Sequence, residues 1–423
     1  MRVTRPLPWI GDIPTLIGQT AVVRMAFESQ DMGPLTQNLI GRMQADPFDA
    51  GVLMDLATVL LCQGGDLAAR GLAFQAAAIK MQPTYRVRHG DGTGPKLLCF
   101  VVAGDFMANT PVDFLLEGSD ATLILHYVDD LPPRAEDLPE HDVAFLAIGE
   151  GAQATAALDA IGPALAMWPR PVLNNAPGLL ARLRRDLASQ ILTDVPGVQA
   201  PLVHAASRAM MMALATGRME PEMIGQGLRW PLVLRPVGSH GGKGLVRAMG
   251  QMDVLRWLSR PEVSAATSFY LMPFVDYRGA DGLYAKYRVA MIGGRPFASH
   301  MAQSTDWMVH YLSSEMDQYE DRRIEEAMWM AGFDTTFARR HAKALTAIQK
   351  RLGLDYYALD CAEAPDGRLL IFEVDTAMII HDMDSAEMYP YKKPVMRKLF
   401  DGFLDTLERA LPPDTPDRGR RVA

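Results

Sequence analysis

The sequence predicts a mixed α+β and α/β fold in which a small helical region precedes the sheets. Three observations lead to this prediction. Residues 14–82 repeat apolar side chains at helical spacing and have little strand character. From Lys96 onward, short apolar runs alternate with helical patterns, as in an α/β domain. In the C-terminal half, apolar strands joined by Gly-Gly and Pro-Asp-Gly turns surround helical stretches, which predicts an α+β layout with an antiparallel sheet.

These changes of pattern divide the chain into five predicted segments. They are a helical segment at 1–90, an α/β domain at 91–200, a central subdomain with a glycine-rich loop at 201–275, a C-terminal subdomain with an acidic hairpin at 276–411 and a disordered polar tail at 412–423.

Composition limits the classes of function. The chain has 423 residues, of which 49% are hydrophobic and 22% charged, as is usual for globular proteins. The formal net charge of -8 gives no electrostatic reason to expect a nucleic acid or an anionic membrane as partner. The three cysteines lie far apart in the sequence, which fits a reducing compartment. With no apolar leader and no apolar run of membrane-spanning length, we expect a cytoplasmic protein.

The helical segment has breaks at Asp46-Pro47 and at Gly64-Gly65, followed by an alanine-rich helix that ends near Pro83. This order resembles one tetratricopeptide-type helix pair. A single pair cannot bury its own apolar face, so it is expected to pack on the rest of the protein or to meet a protein partner. A plain helical cap is the alternative interpretation.

The α/β domain begins with "KLLCFVVAG", a continuous apolar run typical of a buried parallel strand. Further strands and helices follow at the spacing of strand–helix–strand units. The predicted strands are 121–128, 142–149 and 170–175, and the predicted helices are 151–161, 178–192 and 205–216.

The C-terminal half reads as strands around one long helical stretch, with a last helix before the tail. The predicted strands are 232–235, 245–248, 269–275, 284–292, 296–302, 356–362 and 369–374, and the predicted helices are about 334–353 and about 385–410.

The stretch "RPVGSHGGKGL", residues 235–245, is rich in glycine and follows an apolar strand. It lacks the first glycine and the hydroxyl of a Walker A loop, and it lacks the Rossmann pattern. A strand, a glycine loop and a second strand remain, so backbone N–H groups could wrap an anion with His240, Lys243 and Arg247 nearby. An ordinary tight surface turn is the alternative.

The strongest chemical signal is "LDYYALDCAEAPDGRLLIFEVDT", two strands joined by a Pro-Asp-Gly turn. Asp360 lies on the first strand, whereas Glu373 and Asp375 share one face of the second because strand side chains alternate. Such an oxygen-rich set suits Mg²⁺ held together with substrate phosphates. A solvated polar face is the alternative, although apolar neighbours indicate a largely buried hairpin.

Between the glycine loop and this hairpin lies "YAKYRVAMIGGRPFASH", in which Lys286 and Arg288 share a strand face. They could clamp a phosphate or a carboxylate, or they could be ordinary surface charges. The following stretch "TDWMVHY", with Trp307, His310 and Tyr311, could shape substrate selection or simply pack under a loop.

Taken in order, these parts resemble the ATP-grasp superfamily, in particular the glutathione-synthetase-like and ribosomal-protein glutamate-ligase-like carboxylate–amine ligases. The resemblance spans about 96–411 and is most specific over "LVLRPVGSHGGKGL", "FYLMPFVDY", "KYRVAMIGGRPFASH" and "LDCAEAPDGRLLIFEVDT". It implies an N-terminal α/β domain and two α+β subdomains that sandwich ATP. It also implies that a carboxylate is activated as an acyl phosphate and then attacked by an amine, with ATP and Mg²⁺ (or Mn²⁺) as cofactors.

The resemblance also implies roles for individual positions. It assigns Arg235 to the nucleotide phosphates, the loop Ser239, His240, Gly241, Gly242 and Lys243 to the lid over them, Leu271, Met272 and Phe274 to the adenine hinge, Asp276 to the ribose, Arg288 with Lys286 to the transferring phosphate and acyl group, and Asp360, Glu373 and Asp375 to Mg²⁺.

Four departures accompany the resemblance. Arg235 replaces a lysine, Asp375 replaces an asparagine, and Met272 stands where a glutamate commonly meets adenine. A second lysine of the family has no counterpart, and Arg184 and Arg185 are the nearest basic residues. The retained carboxylates favour an ATP-dependent ligase acting on an amino acid, peptide or protein. The alternatives are a non-catalytic ATP-binding interaction module that uses the helical N-terminus, and a phosphotransferase.

Overall fold

The structure is a computed structural model that describes residues 12–129, 131–150, 154–239, 241–311 and 314–412. Two compact units are present. The first takes in the chain up to Ala181, Leu354–Tyr357 and the chain from Asp375 onward; the second comprises Arg182–Gly353 and Ala358–Val374. His240 and, apart from Pro412, the tail predicted at 412–423 lie outside the described residues.

The first unit begins with four helices. They are α1 (Gln19–Phe27), α2 (Gly33–Ala45), α3 (Ala50–Gln63) and α4 (Gly65–Met81). Helix α3 starts where Asp49 accepts a hydrogen bond from the Val52 N–H at 3.0 Å, and it ends at Gly64, so both sequence breaks coincide with helix ends. Buried Val52, Leu56 and Val59 of α3 share a core with α1 and α2. The tetratricopeptide-like interpretation stays a prediction.

A five-stranded sheet follows in the first unit. Its strands are β1 (Thr84–Arg88), β2 (Lys96–Val101), β3 (Thr122–Tyr127), β4 (Val143–Leu146) and β5 (Val172–Leu173), and its helices are α5 (Val112–Leu115), α6 (Ala154–Leu165), α7 (Pro177–Leu180) and the later α16 (Lys392–Ala410), with a 3-10 turn at Ala135–Asp137. The order is β1-β3-β2-β4-β5, and β2 to β5 run parallel. Strand β1 was not predicted; it adds antiparallel to β3.

The second unit contains a four-stranded antiparallel sheet. The helices and strands in this part of the unit are α8 (Arg185–Leu192), β6 (Val198–Gln199), β7 (His204–Ser207), α9 (Arg208–Ala215), α10 (Pro221–Ile224), β8 (Leu232–Pro236), β9 (Val246–Ala248), α11 (Gln251–Leu258), α12 (Pro261–Ser264) and β10 (Ser268–Pro273). The order β7-β10-β8-β9 places Leu232, Leu234 and Leu271 in one core with Trp257 of α11. Strand β7 occupies the start of the helix predicted at 205–216, and the observed helix α9 begins only at Arg208.

A second sheet of five strands completes this unit. Its elements are β11 (Tyr284–Ile292), β12 (Arg295–Ser304), α13 (Glu320–Gly332), α14 (Phe337–Arg340), α15 (Ala342–Leu352), β13 (Tyr356–Glu363) and β14 (Leu369–Asp375). The order is β12-β11-β13-β14-β6, with β14 and β6 parallel, whereas an antiparallel sheet was predicted. The predicted α/β and α+β fold class is confirmed.

The helix predicted at 151–161 corresponds to α6, which is described over Ala154–Leu165, and three further predicted helices differ more in their bounds. The helix predicted at 178–192 is two helices, α7 and α8; the one at 334–353 is α14 and α15; and the one at 385–410 begins at Lys392, after Pro390. A proline disfavours the helical conformation in the residue before it, which accounts for the late start. Within the described part of the chain, we find no helix whose length and apolar character would let it cross a membrane.

Asn174 fixes the end of β5 in the first unit. This residue is 1% exposed and has a positive φ of 53°. Its side-chain oxygen accepts from the N–H groups of Asp355 and Tyr356, each at 2.8 Å, and its amide donates to the Tyr356 carbonyl at 2.8 Å. One buried side chain therefore satisfies three backbone groups of Leu354–Tyr357.

Replacing Asn174 by alanine is expected to lower the free energy of unfolding by about 2–4 kcal/mol, because buried backbone groups lose their partners. Urea unfolding followed by circular dichroism measures this loss. The exposed neighbour Asn175 provides the matched control, Asn175→Ala, which we expect to unfold at the wild-type midpoint. Equal midpoints for the two variants would contradict the structural role of Asn174.

Candidate functional site

Arg235 lies on the face of β8 that points away from the core. Strand alternation puts Leu232 and Leu234 in the core and Val233 and Arg235 on the other face. Although it is a cation, Arg235 is only 8% exposed. Its Nε donates to the Ser239 hydroxyl at 3.3 Å, and its guanidinium also donates to the Ser239 carbonyl oxygen. Arg235 thus shapes the first half of the glycine loop.

The glycine loop joins β8 to β9 as the predicted hairpin, with Leu232 opposite Ala248. Gly238, Gly241, Gly242 and Gly244 all have positive φ, between 59° and 76°. Lys243 is exposed at the loop tip, and Trp257 Nε1 donates to the Gly244 carbonyl at 2.8 Å. The loop is therefore anchored at its base and open at its tip, as an anion cradle requires.

Gly244 is the loop position least able to accept a side chain. Its φ is 68°, and an added Cβ would lie 2.9 Å from Pro236 Cδ. Gly244→Ala is therefore expected to displace the loop and to weaken ATP binding about tenfold, measured by isothermal titration. Gly250→Ala is the control, since Gly250 is extended and an added Cβ meets nothing within 4 Å. Equal ATP affinity in the two variants would show that the loop does not bind nucleotide.

Lys286 and Arg288 converge on Asp360. Both cations lie on β11 with one residue between them, and Asp360 lies on the neighbouring β13. Lys286 Nζ is 2.6 Å from Asp360 Oδ2, and Arg288 donates through Nε to Oδ1 at 2.8 Å and through Nη2 to Oδ2 at 3.1 Å. The structure thus brings together two predicted catalytic residues and one predicted metal ligand.

The charges in this cluster are strongly coupled. Burial alone would raise the pKa of Asp360, which is 3% exposed, but Arg288 and then Lys286 outweigh burial, so its pKa lies well below the ordinary value. Asp360 is therefore ionised, and the cluster carries one positive charge in excess.

Glu373 is paired with a residue that the sequence did not assign. Arg185, at the start of α8, forms an ion pair with Glu373 on β14, and both side chains are largely buried. The neighbouring Arg184 pairs instead with Asp186 at 2.7 Å. Asp375, the last residue of β14, belongs to the other unit, where it accepts from the Ala377 N–H at 2.8 Å. The missing second lysine of the ATP-grasp resemblance drew attention to Arg184 and Arg185 in the sequence, but it did not predict the ion pair between Arg185 and Glu373.

The predicted hinge runs along β10 and just beyond it. Leu271 is buried in the core and pairs with His204 on one side and Leu234 on the other, whereas Met272 lies on the opposite face. Phe274 packs edge-on against Trp307, with ring centroids 5.6 Å apart. Asp276 is exposed and accepts from the Arg278 N–H at 3.1 Å.

The loop at 305–311 reaches both the glycine loop and the cation cluster. A Cβ on Gly242 would lie 3.7 Å from Met308 Sδ, and one on Gly241 would lie 3.8 Å from His310 Nε2. Tyr311 packs against His300, which lies opposite Arg288 in the sheet, with ring centroids 4.7 Å apart. Burial lowers the pKa of His310, and repulsion from Lys286 and Arg288 lowers it further. Loop 305–311 therefore links two parts of the candidate site.

Comparisons with known proteins find similarity in solved structures only. No family model matches the chain, and no curated protein matches it. The D-Ala:D-Ser ligase VanG from Enterococcus faecalis has 14% identity and a TM-score of 0.37, over 64% of this chain and 74% of its own. A RimK domain ATP-grasp protein from Sphaerobacter thermophilus has 16% identity and a TM-score of 0.39, over 73% and 99%. The D-alanine–D-alanine ligase from Coxiella burnetii has 15% identity and a TM-score of 0.37, over 67% and 72%.

Similarity at this level does not establish a shared activity, so the chemistry rests on the side chains of this chain. For a nucleotide, the open glycine loop and the buried Arg235 offer the N–H groups and the positive charge that phosphates need.

For a metal ion, the donor type fits but the arrangement does not. Both oxygens of Asp360 meet cations, and Glu373 is paired with Arg185. Among the residues that the structure describes, no group of three or more His, Cys, Asp or Glu side chains is placed to hold a metal ion. The Mg²⁺ ligands therefore stay a prediction, and the steps proposed below do not pass through a metal.

Proposed function

We propose that the protein is an ATP-dependent carboxylate–amine ligase that forms an amide bond on an amino acid, a peptide or a protein. The observation that carries this proposal is the cluster of Lys286 and Arg288 on the buried Asp360, with loop 305–311 running from it to the glycine loop. Two cations held rigidly by one buried carboxylate can bring two anions together.

In the first proposed step, an oxygen of the substrate carboxylate attacks the γ-phosphorus of ATP. The bond between that phosphorus and the β,γ-bridging oxygen breaks, ADP leaves and an acyl phosphate forms. The two reactants are both anions, so the barrier contains a large repulsive part. Arg288 and Lys286 reduce this repulsion, and Arg235 with the loop N–H groups supports the nucleotide phosphates.

In the second step, an uncharged amine attacks the acyl carbon, inorganic phosphate leaves, and the amine nitrogen loses a proton to solvent. Arg288 suits both steps because its planar fork can contact the phosphoryl and acyl oxygens together. The protein contributes position and charge to this chemistry rather than a covalent intermediate of its own.

A non-catalytic ATP-binding module is the second candidate. The ion pairing of Asp360 and Glu373 favours it, because two of the three predicted metal ligands are engaged by cations of the chain itself. In that case the exposed apolar side chains of the helical segment, such as Phe27 and Phe48, would serve a protein partner.

Release of phosphate from ATP, measured across pairs of carboxylates and amines, separates the two candidates. A ligase releases phosphate only when an acceptor pair is present, and Arg288→Met lowers the release because the charge that offsets the repulsion between the two anions is lost. A binding module is stabilised by ATP in thermal melting and releases no phosphate with any pair. A stable phosphoester product instead of an amide would indicate phosphotransfer.

A further inference from the structure

A cavity of about 450 Å³ opens in the second unit beside the glycine loop. Strand β9, helix α11 and loop 305–311 surround it. Leu245, Met249, Trp307 and Met308 form its apolar walls, and both methionines are exposed. A cavity with exposed apolar walls and a few charged groups is typical of a small-molecule site.

Arg247 supplies a rigidly held cation in this cavity. Its guanidinium carbon lies 4.8 Å from the ring centroid of Phe274 and 5.8 Å from that of Trp307. Contact with two aromatic rings thus positions the positive charge of Arg247 in the cavity. Within the described ranges, Arg247 has no carboxylate partner.

Two more arginines line the cavity from α11 and the residues after it. Arg256 donates to Asp253 at 2.6 Å, and Asp253 also accepts from the Met249 N–H at 2.8 Å. Arg260, in contrast, has no carboxylate partner among the described residues. The other acid of the lining, Asp306, accepts from the Met308 N–H at 3.0 Å. The positive charges of Arg247 and Arg260 are therefore not balanced by ion pairs.

The cavity adjoins the proposed reaction site without including it. Met308, in its wall, lies against Gly242 of the glycine loop, and loop 305–311 continues to Tyr311, which packs on His300 opposite Arg288. A ligand in the cavity could therefore extend along loop 305–311 toward the cation cluster.

We propose that this cavity binds a second, non-reacting carboxylate of the acid substrate, with Arg247 and Arg260 holding the carboxylate and Trp307, Met249 and Met308 packing against an apolar linker. The acid substrate then has two anionic groups, one held here and the other activated at Lys286 and Arg288. This inference rests on the proposed ligase function for the identity of the ligand, whereas binding in the cavity does not require turnover.

Isothermal titration of the full chain without nucleotide tests the cavity directly. The probes are acetate, hexanoate and 3-phenylpropanoate, with hexanamide and 3-phenylpropanamide as uncharged partners. Affinity is expected to rise in the order acetate, hexanoate, 3-phenylpropanoate because the apolar walls are buried by longer probes. Each amide is expected to bind about tenfold more weakly than its acid, since a charged hydrogen bond is lost.

Variants locate the binding. Arg247→Gln and Arg260→Gln should each weaken the two larger acids about tenfold and leave their amides unchanged. Arg218→Gln is the matched control, because Arg218 is exposed and lies outside the cavity lining, and it should retain wild-type affinity. Melting temperatures identify any variant that fails to fold, and Arg247→Lys then tests the charge without the planar fork.

Four results would overturn the inference: no binding of any of the acids, equal binding of acids and amides, inorganic phosphate binding as tightly as 3-phenylpropanoate, or loss of binding in Lys286→Met rather than in Arg247→Gln. Binding that follows the expected pattern in a protein that never releases phosphate would support the cavity and refute the ligase. Turnover with a KM for the acid that is unchanged in Arg247→Gln and Arg260→Gln would support the ligase and refute the binding of the acid in the cavity.

Discussion

Replacing Arg288 by methionine is expected to reduce kcat/KM for ATP-dependent ligation by about 10²–10³-fold, the usual cost of removing one group that stabilises developing charge. The physical reason is that Asp360 accepts from Nε and Nη2 of Arg288 at 2.8 and 3.1 Å and so holds the guanidinium, with its positive charge, in a fixed orientation. Methionine keeps much of the side-chain volume but supplies no charge against the repulsion between carboxylate and γ-phosphate.

Two variants make this result specific to Arg288. Arg288→Lys keeps the charge without the fork and should fall between the wild type and Arg288→Met. Arg295→Gln, at the exposed start of the neighbouring strand β12, should retain full activity. The rates are measured as ADP formation with a carboxylate and amine that support turnover. Wild-type kcat/KM in Arg288→Met would remove Arg288 from the reaction.

Replacing Asp360 by alanine is expected to lower the free energy of unfolding by about 3–5 kcal/mol, because it leaves Lys286 and Arg288 without their shared counter-charge in a largely buried place. Only 4% of the Asp360 side chain is exposed, and about a fifth of each cation side chain. The loss therefore exceeds that expected for a surface ion pair. Chemical unfolding with urea measures it.

The same contact predicts how stability depends on pH. The folded state holds the pKa of Asp360 below the ordinary carboxyl value of 3.8. The contribution of this ion pair to stability is therefore fully present above that value, and it is lost as the pH falls toward the lower pKa of the folded state. Asp194→Asn, at an exposed position, is the control, and we expect no measurable change in stability. An Asp360→Ala variant with the wild-type unfolding midpoint would contradict the role of Asp360 as the shared anchor.

Local patterns in the sequence were sufficient for the strands that form the candidate site. Strand β11 was predicted at 284–292 and is observed over Tyr284–Ile292, because alternating side chains and a Gly-Gly turn are properties of neighbouring residues. The acidic hairpin, β13 and β14, follows for the same reason from its Pro-Asp-Gly turn.

Elements that depend on distant partners were missed. Strand β7 replaces the start of a predicted helix because its residues pair with β10, and β6 has only two residues, paired with β14. Helix α13 was not predicted because its buried face includes Arg322 and Glu326. Glu326 accepts from the Met301 N–H at 3.0 Å, so the apolar periodicity that indicates a helix is weak there.

The residues of the candidate site were likewise predicted where the pattern is local and missed where the contact is long-range. Lys286, Arg288 and Asp360 were predicted from strand alternation and from the resemblance to ATP-grasp ligases. The ion pair between Arg185 and Glu373 and the stacking of Arg247 on Phe274 and Trp307 join residues far apart in sequence, so no local pattern could indicate them. Long-range contacts depend on how the whole unit packs, and this packing cannot be inferred from local patterns in a single sequence.

The most direct test of the central claim is trapping with hydroxylamine. The protein is incubated with ATP, Mg²⁺ and one carboxylate at a time, dicarboxylates with apolar linkers included, and the acyl hydroxamate is measured together with ADP. We expect a hydroxamate formed in equal amount to ADP with at least one carboxylate, and its loss in Arg288→Met. Absence of hydroxamate with every carboxylate, in a protein whose melting temperature ATP still raises, would contradict acyl-phosphate chemistry and favour the binding module.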